Sequence, residues 1–373
     1  MTMLAPLALL TAAAATPAAP VDLPGIWEGT VGTLPVRACF VHREWGTFGA
    51  YYYLSRRRLI PLEAPEHGGG FDERGEADGP APHWTIESAG PSQLIARWAA
   101  RGRTLPVRLT RLARLTGEES PCSAIAFHRP RLEGLRLVRS RAAKDGVAYT
   151  RIVLDTAGRF EEVSFETFAL DGASAAAGRI NAALGTALTG DPPSWFECIT
   201  DSLADSPNEG GFDESLTPTM ISRRWLAVTH HWDGSCGGAH PDSTNAYRLF
   251  DRTDGREIDL HDWLNAGAVH RERPDGGEEI KTLLPAFREA ILAGWHSEGA
   301  DCDEPVRNED FWTIGLTRTG LVFSPVLPHV VQACGEDFTM PFERLRPFLT
   351  PEGAAQVRAL QAEPAPPPDR AAR

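Results

Sequence analysis

The richest run of reactive side chains in this sequence lies between positions 230 and 242, where it reads HHWDGSCGGAHPD. Histidine, cysteine and aspartate are the residue types that hold zinc, transfer protons or attack carbonyl carbons. A metal site or a hydrolytic centre is therefore the first chemistry to consider here. Whether either can form depends on the elements that carry these side chains.

The spacing within this run does not complete a catalytic or metal-binding set. His230 and His231 are adjacent on a predicted strand, so their side chains point to opposite faces, and the helical H-x-x-x-H spacing of many zinc sites is absent. Ser235 does not lie in a Gly-x-Ser-x-Gly elbow. The acidic run Asp301–Glu304 lacks the spacing of a calcium-binding EF-hand. We predict no catalytic residue, no metal site and no cofactor.

The first 19 residues have the pattern of a signal peptide. An apolar run, Leu4–Ala15, leads into an Ala-rich stretch, and no charged side chain precedes Asp22. Such a short apolar run followed by small residues is typical of a cleaved leader. No later segment has the roughly 18 uninterrupted apolar residues of a membrane span. We expect a periplasmic or secreted protein without an integral membrane segment.

The six cysteines point to the same compartment, because an even number in an exported chain favours disulfides. Six cysteines allow 15 pairings. We favour Cys39–Cys122, Cys198–Cys236 and Cys302–Cys334, because each pair then lies within one structural region. A disulfide at Cys236 would leave no thiolate for nucleophilic catalysis.

The charge of the chain is uneven. The 373 residues carry a formal net charge of −13. Residues 20–115 contain 12 Lys+Arg and 10 Asp+Glu, whereas residues 116–373 contain 25 and 40. A nucleic-acid partner requires a basic surface, so the acidic part argues against one. The same charge suits a cationic partner.

The pattern of apolar and turn residues predicts an α+β protein. Short β-prone runs separated by Gly/Pro/Asp turns predict a small all-β barrel or sandwich over residues 22–115, with Trp27 in its core. A linker over residues 116–128 leads to an α+β companion region, 125–205, and then to a domain over 206–350 with an antiparallel sheet and packed helices. Residues 361–373 read as a disordered tail.

Two helices and one loop are predicted inside the second half. Apolar residues at helical spacing indicate helices over Ser174–Leu188, with Ser174 as N-cap, and over Glu278–His296, with Pro285 as a kink or as the true start. Residues 204–217 are polar and read as a loop.

Five segments of the second half follow one another in a recognisable order. A strand ends in a Gly-Gly-Ala-His turn, and aromatic strands and a short Leu-rich segment follow. The segments are Cys236–His240, Tyr247–Asp251, Gly255–Leu264, Phe311–Ile314 and Gly320–Phe323. In this order, residues 222–349 resemble the extracytoplasmic domain of RsiV-type anti-sigma factors, which also occurs in some peptidoglycan deacetylases.

The resemblance implies a binding role, because the domain binds lysozyme in RsiV-type proteins and accompanies a separate catalytic domain in the deacetylases. We expect a non-catalytic envelope protein that binds or senses lysozyme, a peptidoglycan fragment or another cell-wall-related ligand. The alternative is a hydrolase of cell-wall or other extracellular polymer that uses His240 with Asp233 or Asp242. The candidate binding residues are Gly237, Gly238, His240, Asp242 and Tyr247.

Overall fold

A computed structural model describes residues 22–65, 69–74, 80–115, 120–185, 192–238, 240–297 and 301–366. The predicted signal peptide, residues 1–19, and the last part of the predicted tail lie outside these residues. Where the chain is described, no helix is long and apolar enough to cross a membrane.

The first unit is a closed eight-stranded barrel in which each strand pairs antiparallel with the next and the last pairs with the first. The predicted all-β unit is therefore a barrel and not a sandwich. Its strands are β1 (Gly25–Val31), β2 (Leu34–Arg43), β3 (Gly46–Tyr53), β4 (Ile60–Glu63), β5 (Phe71–Glu73), β6 (His83–Ala89), β7 (Gln93–Ala100) and β8 (Arg103–Ala113).

Side chains that alternate along these strands fill the barrel. On β2, for example, Val36, Ala38 and Phe40 belong to the barrel core, whereas Cys39 and Val41 belong to a second cluster outside it. This is the period-two pattern of a strand with two buried faces. Trp27 is fully buried in this core, as predicted, and its indole nitrogen donates to the Leu23 carbonyl at 2.8 Å.

A helix inside the predicted linker covers the outside of the barrel. Residues 116–128 were expected to be a linker, but α1 (Ile125–Leu132) begins within them. The Cys39–Cys122 disulfide fixes the chain just before α1, and the Tyr52 hydroxyl donates to the Phe127 carbonyl at 2.5 Å. The apolar outer face of β2 and β3 needs such a cover, which the low periodicity of the linker did not reveal.

The second unit is built on a seven-stranded sheet. Its strands are β9 (Arg136–Lys144), β10 (Val147–Asp155), β11 (Val163–Leu170), β12 (Gly211–Ile221), β13 (Trp225–Ser235), β14 (Asp242–Asp251) and β15 (Glu257–Ile258). They lie side by side in chain order. The predicted regions 125–205 and 206–350 thus contribute strands to the same sheet.

The sheet is antiparallel as predicted, with one exception. β11 and β12 run parallel. A parallel pair requires a long crossover connection, and two helices between the strands supply it here. These helices are α2 (Ala175–Leu184) and α3 (Ser194–Asp205), and both pack on one face of the sheet. The Ser174 hydroxyl accepts from the Ala177 amide, which confirms the predicted N-cap.

The predicted loop 204–217 is wrong, because β12 occupies its second half and α3 ends within it at Asp205. Polar side chains gave this segment its loop-like composition. They alternate with Phe212 and Leu216, which are buried against α2 and α3. The period-two pattern therefore outweighs the polar composition.

The opposite face of the sheet is covered by two smaller sheets, one of two strands and one of three, and by several short helices. The remaining strands are β16 (Val269–Glu272) and β17 (Ile280–Leu283) in the first of these sheets, and β18 (Trp312–Leu316), β19 (Gly320–Pro325) and β20 (Phe338–Pro341) in the second. The helices are α4 (Pro285–Ile291), α5 (Asp303–Asn308), α6 (Phe342–Leu345) and α7 (Pro351–Gln361), with 3-10 turns at Leu260–Trp263, His329–Cys334 and Arg346–Phe348.

The predicted helix Glu278–His296 is wrong in its first part, which forms β17. The helix α4 begins at Pro285, because proline lacks the amide hydrogen that a helix interior requires but suits the first helical position. The Cys302–Cys334 disulfide then joins the start of α5 to the turn His329–Cys334.

The two units meet at the buried side chain of Arg131 at the end of α1. Its guanidinium forms a two-point salt bridge with Glu209 and donates to the Arg159 carbonyl at 2.5 Å. It also donates to the Arg57 carbonyl of the barrel at 2.9 Å. A fully buried guanidinium with its donors satisfied fixes the two units to each other.

Candidate functional site

The predicted binding residues lie around the turn between β13 and β14. Gly237 and Gly238 form this turn with φ of +94° and +90°, a conformation that favours glycine. The Cys198–Cys236 disulfide fixes the turn to α3. The three disulfides are the pairs that we favoured from the sequence.

His240 and Asp242 both face the turn His329–Cys334. The His240 side chain is exposed, and its ring contacts the His329 ring at a centroid distance of 6.0 Å. An Asp242 carboxylate oxygen accepts from the Gln332 amide nitrogen at 2.6 Å, while the Gln332 oxygen accepts from the Ser243 amide at 2.9 Å. Gln332 thus fixes this turn against the start of β14.

Tyr247 makes a second contact between β14 and the segment 329–337. Its hydroxyl donates to the Asp337 carboxylate at 2.5 Å, and its ring lies where a Cβ on Gly315 would come within 2.7 Å. Burial, together with the hydrogen bond to Asp337 and its charge, raises the pKa of Tyr247. The tyrosine therefore stays protonated and positions the loop before β20 instead of serving as a base.

The adjacent histidines point to opposite faces of the sheet, as predicted for a strand. His230 Nε2 lies 2.7 Å from the buried Glu214 carboxylate. His231 Nδ1 lies 2.9 Å from the Asn245 side-chain oxygen on the other face. The two imidazoles cannot join one metal or one reaction centre.

A groove opens on the His231 face between β14 and the segment that follows β19. The cavity measures about 100 Å³. Its walls carry hydrogen-bonding side chains with an apolar edge. The lining residues include His231, Ser243, Asn245, Ser324, Val326 and Gln332.

Among the described residues, no carboxylate, lysine or arginine lines the cavity itself, but the two chain segments that form its walls contain acidic residues and no lysine or arginine. Neither residues 225–247 nor residues 320–341 contain a lysine or an arginine. The acidic side chains in these two segments are Asp233, Asp242, Glu336 and Asp337. Within the described chain, none of the four forms a salt bridge. Asp242, Glu336 and Asp337 accept hydrogen bonds from the neutral side chains of Gln332, Trp295 and Tyr247, which leave their charge in place.

Exposed apolar side chains border this acidic groove. Val330 is 83% exposed, Phe311 50% and Val326 46%. The Val326 amide donates to the Phe311 carbonyl at 2.9 Å, so these two residues are neighbours. An apolar cluster beside unpaired charges is the composition of a protein-binding surface.

The described residues do not show the contacts that the hydrolase hypothesis requires. Cys236 is in a disulfide, so it offers no thiolate. In the described residues, no hydrogen bond joins His240 to Asp233 or Asp242, the partners that the hydrolase hypothesis requires. No group of three or more potential metal ligands occurs there either.

None of the five predicted binding residues lines this cavity. His240, Asp242 and Tyr247 belong to its surroundings, whereas Asn245 and Gln332 were not predicted. The signal that could have found the second wall is the run 320–341, which lacks cations and pairs with a similar run at 225–247. That the two runs face each other follows only from the packing of β14 against β18 and the turn after β19.

No family model matches the sequence, and no curated protein matches it. Two solved structures are similar over about three fifths of the chain. One is a DUF3298 family protein from Pseudomonas aeruginosa PAO1, with 14% identity and a TM-score of 0.33 over 59% of this chain and 97% of its own. The other is a DUF3298 family member from Bacteroides fragilis NCTC 9343, with 10% identity and a TM-score of 0.35 over 61% and 96%.

Proposed function

We propose that this chain is an exported binding or sensing protein of the cell envelope, periplasmic or secreted, and that its groove recognises a basic protein. The observation that carries the proposal is the pair of facing segments, 225–247 and 320–341, with four carboxylates and no cation. The three disulfides support export, because they persist in oxidising compartments. A c-type lysozyme is the first candidate partner.

The charged and the apolar residues around the groove would have different roles in binding. Unpaired carboxylates steer a basic protein and align it. The exposed valines supply apolar area that loses water on contact. The Gln332 and Tyr247 contacts hold the groove wall in place before the ligand arrives, so less ordering free energy is lost on binding.

The test is binding of the mature, oxidised protein to hen egg-white lysozyme, measured calorimetrically at low and at high salt. We expect a micromolar or tighter Kd that weakens as salt rises, because exposed charges are screened beyond about 10 Å at 0.1 M salt. A peptidoglycan pull-down runs in parallel. Binding to peptidoglycan alone would refute the basic-protein proposal, since its peptide carboxylates do not complement this groove.

Matched variants locate the interface. Asp233→Lys reverses an exposed charge beside the groove and should weaken binding mainly through the association rate and the salt dependence. Val330→Ser should weaken it about tenfold by removing apolar contact. Val138→Ser, at a 50% exposed site on β9, is the control. Equal losses in all three variants, or none in the first two, would place the interface elsewhere.

A further inference from the structure

The barrel carries a carboxylate at one end of its apolar core. Phe71 and Glu73 alternate on β5, and Phe71 belongs to the barrel core. The period of the strand therefore directs Glu73 inward as well. A carboxylate in such surroundings is costly unless hydrogen bonds or an opposite charge compensate it.

Three donors compensate one of its two oxygens. Glu73 Oε1 accepts from the Tyr51 hydroxyl at 2.5 Å, from the Trp98 indole nitrogen at 2.6 Å and from the Trp84 indole nitrogen at 3.1 Å. Tyr51 and Trp84 are fully buried, so their donors are fixed by packing. All three donors are neutral, and the negative charge remains.

The second oxygen is left without a donor in the described part of the chain, and Glu73 forms no salt bridge there. Glu73, Trp98 and Tyr53 are each partly exposed, so this end of the barrel is open to solvent. Tyr53 packs edge-on against Tyr51 at a centroid distance of 5.4 Å. The free oxygen therefore lies in an aromatic setting formed by Tyr51, Tyr53 and Trp98, and aromatic ring faces attract cations.

We propose that this end of the barrel binds a primary ammonium group. One N–H of the ammonium would donate to Glu73 Oε2, and the faces of Tyr53 and Trp98 would contact the adjoining carbon atoms. Oε1 is already occupied, so the ligand completes the hydrogen bonding of the carboxylate and neutralises it. The site lies on the barrel and is independent of the groove on the seven-stranded sheet.

Titration of the whole oxidised protein with n-butylammonium chloride tests the proposal, because the indole N–H signals of Trp84 and Trp98 report on Glu73 directly in nitrogen–proton NMR spectra. We expect saturable shifts of these two signals. Tetramethylammonium, which has no N–H, should bind about tenfold or more weakly, since a charge-assisted hydrogen bond is missing. Equal binding of both cations, or equal shifts with sodium chloride, would overturn the proposal.

Two variants and a control separate recognition from folding. Glu73→Gln keeps the shape and an acceptor oxygen but loses the charge, and it should weaken butylammonium binding about tenfold or more. Tyr53→Leu keeps the carboxylate and should weaken binding several-fold. Glu87→Gln, on a β6 carboxylate paired with Arg97 at 2.7 Å, should bind like the natural protein. Unchanged binding by Glu73→Gln would overturn the proposal.

A primary ammonium group is offered both by lysine side chains and by amino sugars. Titrations with Nα-acetyl-lysine amide and with glucosamine distinguish the two sources. The compound that binds more tightly than n-butylammonium identifies its class, and the failure of both to bind would overturn the site. Lysozyme binding at the groove is unaffected by either result.

Discussion

Acid should weaken the junction between the barrel and the sheet, because His128 is enclosed there in its neutral form. Its Nε2 contacts the Cys122 carbonyl at 2.7 Å, and its Nδ1 lies 3.0 Å from an Arg131 guanidinium nitrogen. Arginine can only donate, so Nδ1 must accept and Nε2 must carry the hydrogen. A second proton on this ring would remove the acceptor and place two cations side by side.

Burial, and next the Arg131 charge, lower the pKa of His128 well below its ordinary value of 6.5, although the Cys122 carbonyl opposes this. The unfolded chain therefore binds this proton at a higher pH than the folded chain does. Stability is full above about pH 6.5 and falls by about 1.4 kcal/mol per pH unit below it, until the folded state also binds the proton. Between about pH 6.5 and pH 5 this loss is at most about 2 kcal/mol.

This pH-dependent loss of unfolding free energy is measured by urea unfolding between about pH 7.5 and pH 5, with disulfides intact. The natural protein is compared with His128→Gln. Exposed histidines and carboxylates contribute equally to both proteins, so the difference in slope isolates His128. His296→Gln, at a side chain that is 82% exposed, should keep the natural slope. Parallel curves for the natural protein and His128→Gln would refute the assignment of a neutral, buried imidazole.

Three further substitutions test the packing. Glu209→Gln should cost about 3–5 kcal/mol of unfolding free energy, because it leaves the buried Arg131 charge without its partner; chemical denaturation measures it. Gly315→Ala should cost about 1–3 kcal/mol, because the added Cβ would meet the Tyr247 ring at 2.7 Å. Gly178→Ala should instead stabilise the protein, because this α2 glycine has no other group within 4 Å of an added Cβ. We expect the free energy of unfolding to increase by about 0.5–1 kcal/mol, which a higher melting temperature would show.

Much of the fold follows from local pattern. The barrel strands are short β-prone runs between turn residues, and α2 begins at a serine N-cap, so both were predictable from short windows of sequence. The hairpin of β18 and β19 has the same character. β12 and β17 were missed, because their neighbours in space decide their structure: one is inserted beside β11 by a long crossover, and the other is a short strand paired only with β16.

The candidate sites divide in the same way. The region around His240 was predicted as a site because its residue types are chemically conspicuous in one run. Gln332 and Glu73 were missed, since Gln332 is a single polar residue among apolar ones and Glu73 lies in a charged run that reads as a solvated turn. Gln332 contacts Asp242, which is 90 residues away in the sequence. Glu73 accepts hydrogen bonds from side chains on three different strands. Such convergence is a property of the tertiary structure and leaves no local pattern.

The distribution of paired and unpaired carboxylates separates stabilising charges from recognition charges. The buried Asp251 is bound by Arg224 at 2.9 Å, and Glu209 by Arg131. A ligand that approached either carboxylate would have to displace an arginine and lose the existing pair. Asp233 and Glu73 have no cationic partner in the described residues, so a positively charged ligand meets no competitor there. These unpaired carboxylates, on different units of the chain, are therefore where cation recognition gains the most free energy for the least structural cost.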